Sequence, residues 1–440
     1  MTCNRFLSSL LLACLISAPA MAQGGMEDFL LNSSRHTFRL NPALTPDHDF
    51  LSIGNASMMN RANIGASSLL FENGGKIVSG FHPSVPEEQF LGGLKPDNFY
   101  SAFLNYSLAA YGIRRGDKFH TFEVSLKSNA GCTIPKDVFA FIKRGVQGEM
   151  LNFGNSRTNA DMYAEFAYGY TQKLSDIVTV GVRGKLLVGL FSFDAKTNRM
   201  NLYFQDNQMM TYLEAELNLT GRWQDPATGK KKGLRVPTGL GLGVDLGIAI
   251  QPSPYLTLSA SVTDLGFMGW LYGKGGLAVT TFEMFDPVSY DSDKFSIAQI
   301  IGIAGSTAKE INETVKVTES GLRARALATP INFHLGAKYK MPFYDKLTVG
   351  LTGAATLYRT MNYMEARFGA AVEPLNWLEL SANFGYNTYG WAYGMVGSFR
   401  IEKFRIRLAL QNNFGGWFKG TELPSKPSAS VITAGLTYDL

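Results

Sequence analysis

Residues 238 to 251 read TGLGLGVDLGIAIQ and alternate from end to end. Leu240, Leu242, Val244, Leu246, Ile248 and Ile250 fall on one face; Gly239, Gly241, Gly243, Asp245, Gly247 and Ala249 fall on the other. Successive side chains of a strand point to opposite sides, so this period predicts a β-strand. The run is too long for most soluble sheets. Strands there usually stop at about 5 to 6 residues, whereas a tilted strand crossing a bilayer needs roughly 9 to 11. The bulky face is expected to meet lipid and the Gly/Asp face a polar interior.

The first residues read as an export signal. A basic start (Met1 to Arg5), an apolar run (Phe6 to Ala18) and the small-residue site Ala20-Met21-Ala22 predict a leader of residues 1–22, with cleavage after Ala22 and a mature start at Gln23. Leu11-Leu12-Ala13-Cys14 also resembles a lipoprotein box, in which Cys14 would carry lipid. Beyond the leader no stretch approaches the ~20 consecutive apolar residues of a transmembrane helix. Any spanning segments must be strands.

Bulk composition hides this pattern, because half of each barrel strand is polar and averages the apolar half away. The hydrophobic content of 45% and mean hydropathy of −0.02 suit a soluble protein equally. More telling are the 46 Gly, which suit a crowded interior, and the 19 Tyr and 30 Phe, which suit interfacial girdles. The formal charge of +5 is small and scattered, which argues against nucleic-acid binding. Cys3 and Cys14 leave with the leader, so Cys132 has no intrachain disulfide partner.

The dyad pattern recurs at His120–Ser128, Ile177–Leu190, Thr211–Thr220, Leu256–Val262, Ile331–Tyr339, Leu347–Leu357, Leu378–Tyr386, Phe404–Leu410 and Ile432–Leu440. Short links at Arg115-Gly116-Asp117, Leu174-Ser175-Asp176, Pro252-Ser253-Pro254, Pro342 to Asp345, Glu373 to Asn376 and Glu402-Lys403 alternate with long ones. The long links are 129–160, 223–236, 266–330 and 415–428. Tight turns on one side and extended loops on the other are the sidedness of an outer-membrane barrel. About fifteen segments are recognisable, and single-chain bacterial barrels have even strand numbers, so one more is expected from Phe50–Phe81. The fold class is therefore all-β: a transmembrane antiparallel outer-membrane β-barrel of about 14 to 16 strands. A helix is expected at Pro135–Gly145, where it would cap the mouth or fold into the lumen. Residues 23–50 form a separate N-terminal segment or plug, and 51–440 the barrel.

Charges agree with the assigned faces. Arg183, Lys185, Glu214, Glu216, Asp245, Arg405 and Arg407 all fall out of phase with the bulky apolar residues of their strands and are candidate lumen-lining residues. They would either fill the lumen as ion pairs or line a conduit. Leu246→Arg should then impair assembly by a few kcal/mol, and Asp245→Asn should be mild. His36, His48, His82, His120 and His334 sit in no catalytic spacing, and no metal or cofactor motif occurs, so a non-enzymatic protein without a cofactor is expected. The Lys230-Lys231-Lys232 run with Arg235 reads as a solvated loop, or as a contact for lipopolysaccharide phosphates.

Ser34-Arg35-His36 followed by Asn41-Pro42-Ala43, Pro135 to Phe139 with Gly145, Gly184-Lys185-Leu186, and Asp264-Leu265-Gly266-Phe267 with Trp270 together resemble an outer-membrane barrel family of Gram-negative bacteria that carries only an unknown-function label. More remotely, the chain is similar to long-chain fatty-acid transporter barrels and to type IX secretion barrel subunits, through Asn41, Pro42 and Ala43. The resemblance implies the cell outer membrane and its lipid as surroundings and supplies no active site. Two functions follow as expectations. One is transport or binding of a small hydrophobic molecule, with the N-terminal segment as a plug. The other is a scaffold for a protein partner in an outer-membrane secretion or surface complex.

Overall fold

The computed structural model describes residues 27–144, 150–205, 208–220, 222–224, 231–233, 236–272, 274–284, 318–320, 323–358, 362–421 and 423–440. The expected leader, Gln23, the side chains of the basic run at 230–235 and residues 285–317 of the longest link lie outside the described residues. A closed antiparallel barrel of 14 strands carries the fold. In chain order its strands are β1 (Phe50–Ala62), β2 (Asp97–Arg115), β3 (Lys118–Pro135), β4 (Arg157–Lys173), β5 (Val178–Gln205), β6 (Gly239–Ser253), β7 (Leu256–Tyr272), β8 (Ile331–Lys340), β9 (Leu347–Leu357), β10 (Tyr363–Leu375), β11 (Leu378–Asn387), β12 (Gly390–Ile401), β13 (Phe404–Asn413) and β14 (Ser428–Asp439). The first and last strands close the ring, in register from Phe50↔Asp439 to Ala62↔Ser428. On its other side β1 meets β2 at Asn55↔Ser107.

The alternation works as expected. On β6, Leu240, Leu242, Leu246 and Ile248 are exposed, while Asp245 is fully buried. Leu335 at 65% and Leu351 at 60% exposure continue the same outer belt on β8 and β9. A soluble barrel would hide these side chains; an apolar exterior around a charged interior is the architecture of a membrane-spanning barrel. Leu246→Arg is expected to cost roughly 2 to 4 kcal/mol. Urea titration of the protein refolded into vesicles reads that loss directly, and a cost near zero would put Leu246 outside the lipid belt. No helix among the described residues is long and apolar enough to cross a membrane, which concerns helices alone.

The six tight turns expected from the sequence share one end of the barrel, together with the start of β1 and the end of β14; the two-residue turn Thr388-Tyr389 between β11 and β12 lies at the other end. The opposite end carries the long links. Two turns are displaced from the sequence reading: β6 runs on to Ser253 and β10 to Leu375, each through a register shift beside a proline, Pro252 or Pro374. Proline is tolerated at such irregularities because it has no ladder hydrogen bond to give. The Thr211–Thr220 segment is paired but is not a wall strand. It belongs to Gln208–Leu219, which pairs with the distal part of the 28-residue β5 and with Lys274–Met284; Thr318–Ser320 is added beyond that. These three extra strands raise one side of the loop end above the ring. Arg323–Ala328 pairs with the loop-end half of β7, and after Thr329-Pro330 the chain continues as β8.

Among the described residues two short α-helices precede the expected one: α1 (Glu27–Leu30) and α2 (Glu87–Gly92). The expected helix forms as α3 (Lys136–Arg144) and stays at the loop end. Its Ala140 and Phe139 pack with Val85, Phe90 and Leu91, while its Val138 and Phe141 pack with Leu151 and Phe153. Lys143 donates to the carbonyls of His82 and Val85, both at 2.8 Å, and Arg144 pairs with Glu87 at 2.8 Å. Burial lowers the Lys143 ammonium from its ordinary value, with Glu87 opposing.

Candidate functional site

Residues 27–49 do not join the wall. They lie inside it, with α1 against β8 to β12. Glycines supply the room: a Cβ on Gly336 would strike the Phe29 ring, and one on Gly350 or Gly369 would strike Leu30. Leu30 and Leu31 are almost fully buried. Polar anchors complete the fit. Asp439 of β14 accepts from Arg35 Nε at 2.8 Å and from Arg405 Nη2 at 3.2 Å, and Arg407 pairs with Asp28 at 2.6 Å. Glu379 of β11 accepts the backbone N–H groups of Asn32 and Ser33 at 2.8 and 3.0 Å. The sequence placed Arg405 and Arg407 on the lumen side; the structure adds that their partners are the chain end and the N-terminal segment.

Asn41, Pro42 and Ala43 form the tightest seat. Asn41 Nδ2 donates to the carbonyls of Ile248 at 2.9 Å and Ala260 at 3.1 Å, while its Oδ1 accepts from Ala43 N at 2.8 Å. Thr171 Oγ1 donates to the Pro42 carbonyl. Gly247 of β6 and Gly181 of β5 are register partners, and together they make the notch. A Cβ on Gly247 would collide with Asn41 Oδ1, and one on Gly181 with the Pro42 carbonyl. Glycine is required here for close approach, whatever its φ. The glycines nearer the loop end serve another purpose: Gly239 and Gly241 clear space for Trp270 and Met268.

Above this seat lies a layer of buried charge. Arg39 of the N-terminal segment pairs with Glu123 at 2.6 Å, and Glu123 also pairs with Arg183. Arg183 reaches Asp245 at 3.3 Å and Glu165 at 3.6 Å. Lys185 sits between Asp245 at 2.6 Å and Asp264 at 2.7 Å, and Lys127 between Glu165 at 2.7 Å and Asp264 at 2.9 Å. Every cation thus has a carboxylate, which is the condition for keeping charge out of water. Of the candidates from sequence, Arg183, Lys185 and Asp245 meet here. Glu214 and Glu216 do not, because their strand is one of the three beyond the ring; Arg325, which is bound to Asp194 at 3.0 Å, comes within 3.6 Å of Glu216.

Sequence reasoning missed Arg39, Glu123, Lys127, Glu165 and Asp264. Glu123 between Phe122 and Val124, and Glu165 before Phe166, carried the out-of-phase signal already used for Arg183. Asp264 did not. Strict alternation puts it on the same face as Val262, toward lipid. Instead the β6/β7 register jumps from Leu246↔Val262 to Val244↔Leu265, and the bulge turns Asp264 inward at φ +60. Its backbone N–H then donates to Asp245 Oδ1 at 2.7 Å.

Toward the loop end the inward side chains become apolar and aromatic. Tyr163, Leu187, Met268, Trp270, Tyr272 and Leu327 form one cluster, and Met59, Phe103 and Val431 another. On the outer surface, behind Asn41, an apolar groove of about 500 Å³ runs over Ile248, Ala260, Leu335, Leu351 and Gly353. Ile248 and Ala260 are the residues whose carbonyls Asn41 holds from within.

Among solved structures, the chain is similar to a Pseudomonas aeruginosa FadL homologue (12% identity, 96% of this chain and 100% of that one, TM-score 0.48). It is also similar to the Pseudomonas putida toluene transporter TodX (11%, 96% and 98%, 0.45) and the Ralstonia pickettii toluene transporter TbuX (10%, 92% and 94%, 0.46). No curated protein matches the sequence. The model of a family of unknown function, DUF5723, matches residues 42–410, and the chain belongs to that family.

Proposed function

We propose that this is an outer-membrane barrel that binds and passes a small hydrophobic molecule, with residues 23–49 as a plug left after cleavage behind Ala22. Its tight turns face the periplasm and its long links the outside. The observation that carries the reading is the apolar groove directly behind Asn41-Pro42-Ala43. A barrel that served only as an anchor would need neither an apolar groove over the strands that seat Asn41 nor a separate segment seated in a glycine notch. Lumen-side Arg183, Lys185 and Asp245 tie the plug to the wall through Arg39 and Glu123, while aromatic clusters line the approach from outside.

Filling the groove tests this. Ala260→Leu adds apolar volume on the lipid-facing side and is expected to leave assembly intact. It should slow entry of a neutral hydrophobic fluorophore into proteoliposomes several-fold, the direction set by lost pocket volume. Entry as fast as with the unaltered protein, or no protein-dependent entry at all, would overturn the transport reading and favour a scaffold.

A further inference from the structure

On β1 the inward residues toward the loop end are Asn55, Ser57, Met59 and Arg61. Arg61 is 2% exposed. Its guanidinium carbon lies 4.1 Å from the ring centroid of Tyr363 and 5.3 Å from that of Phe103. Its Nε and Nη1 atoms have no hydrogen-bond partner. Among the described residues no carboxylate lies within ion-pair distance of it, although Arg35, Arg39, Lys127, Arg183, Lys185, Arg367, Arg405 and Arg407 all have one.

Glu365 does not fill the gap. Its Oε2 already accepts from Tyr363 Oη at 2.9 Å, Arg367 Nε at 2.8 Å and Gln411 Nε2 at 3.0 Å. A buried cation without a counter-charge is unfavourable, and contact with two rings offsets only part of that. Among the described residues most buried cations are paired, and Lys338, over the Phe29 ring of the plug, is the other inward cation with no carboxylate at ion-pair distance; Arg61 alone of the two is held between rings at the loop end. The surroundings add a shape: Tyr358 meets Phe103 edge-on at 5.8 Å between centroids, and Tyr389 lies 6.1 Å from Tyr363. Ala62 and Tyr363 are the loop-end termini of β1 and β10, so the cluster lies where a molecule from outside would enter.

We infer that Arg61 and its ring cluster form a binding site for a small organic carboxylate with a flat apolar body. The carboxylate supplies the counter-charge for the guanidinium, and the body packs among the rings. The site rests on the reading that small molecules enter the lumen from the loop end, and it adds that the preferred cargo carries a negative charge.

Thermal unfolding of the full-length protein in detergent, alone and with benzoate, benzyl alcohol or inorganic phosphate, tests the assignment. Benzoate should raise the midpoint by a few degrees, because a ligand that binds only the folded state stabilises it. Benzyl alcohol and phosphate should not. Arg61→Met removes the uncompensated charge, so it should unfold at a higher temperature than the unaltered protein and lose the benzoate shift; Arg61→Lys should keep the shift. An equal shift from benzyl alcohol or phosphate, a shift that survives Arg61→Met, or no benzoate shift with Arg61→Met destabilising, overturns the site. Entry of a neutral fluorophore without a benzoate shift would sink this site and leave the transport reading standing. A benzoate shift without entry would do the reverse.

Discussion

Asp245→Asn is expected to destabilise the folded barrel by roughly 3 to 5 kcal/mol, the cost of removing one partner from a buried charge cluster. The carboxylate is fully buried and accepts from Lys185 Nζ at 2.6 Å, Arg183 Nη1 at 3.3 Å and the Asp264 N–H at 2.7 Å. Asparagine keeps the shape and loses the charge, so Arg39, Lys127, Arg183 and Lys185 would share only Glu123, Glu165 and Asp264. The substitution that alternation alone marks as mild therefore becomes at least as damaging as Leu246→Arg on the outer face. Urea unfolding in vesicles, followed by heat-modifiable gel migration, measures both. Adding Lys185→Met to Asp245→Asn should recover part of the loss, since it restores the balance of charge. A cost below about 1 kcal/mol, the scale of a solvent-exposed pair, would mean that water reaches the layer and that it is not sealed.

The barrel was legible because its deciding signal is local. Period 2 needs only neighbouring residues, and Thr238–Gln251 carries enough of them to fix which face meets lipid. Loop lengths supplied the rest of the topology. The expected 14 to 16 strands include the observed 14; the upper end of that range came from counting a paired segment, Gln208–Leu219, that lies beyond the ring, because alternation reports pairing and says nothing about height. The same blindness misplaced Glu214 and Glu216 relative to Arg183. Asp264 failed for a sharper reason: one inserted residue inverts the phase of everything after it, and no rule of fixed period sees the insertion. The anchor role of Asn41 was out of reach in another way. Its partners are backbone carbonyls some 200 positions away in the chain, and a backbone carbonyl leaves no mark in a sequence. Even so, the glycine face of Thr238–Gln251 showed that something approaches the wall there.

That approach can be probed with two alanines on one strand. Gly243 and Gly247 share the inward face of β6, yet a Cβ on Gly243 meets Lys185 only at an ordinary 3.6 Å, whereas one on Gly247 collides with Asn41 Oδ1 and lies 2.9 Å from Pro42 Cδ. β6 is hydrogen-bonded to β5 and β7 along both edges, so the wall cannot give way. The segment must move. Displacing Asn41 breaks its bonds to Ile248 and Ala260, at about 1 kcal/mol each, and a loss of that size shifts the balance between seated and unseated plug by more than about tenfold. Gly247→Ala is accordingly expected to raise the ion conductance of the barrel in planar bilayers by about an order of magnitude, while Gly243→Ala conducts as the unaltered protein does. Removing residues 23–49 altogether should conduct at least as well as Gly247→Ala. If the truncated barrel conducts no more than the intact one, the charge layer alone closes the lumen, and the N-terminal segment holds the wall together without gating it.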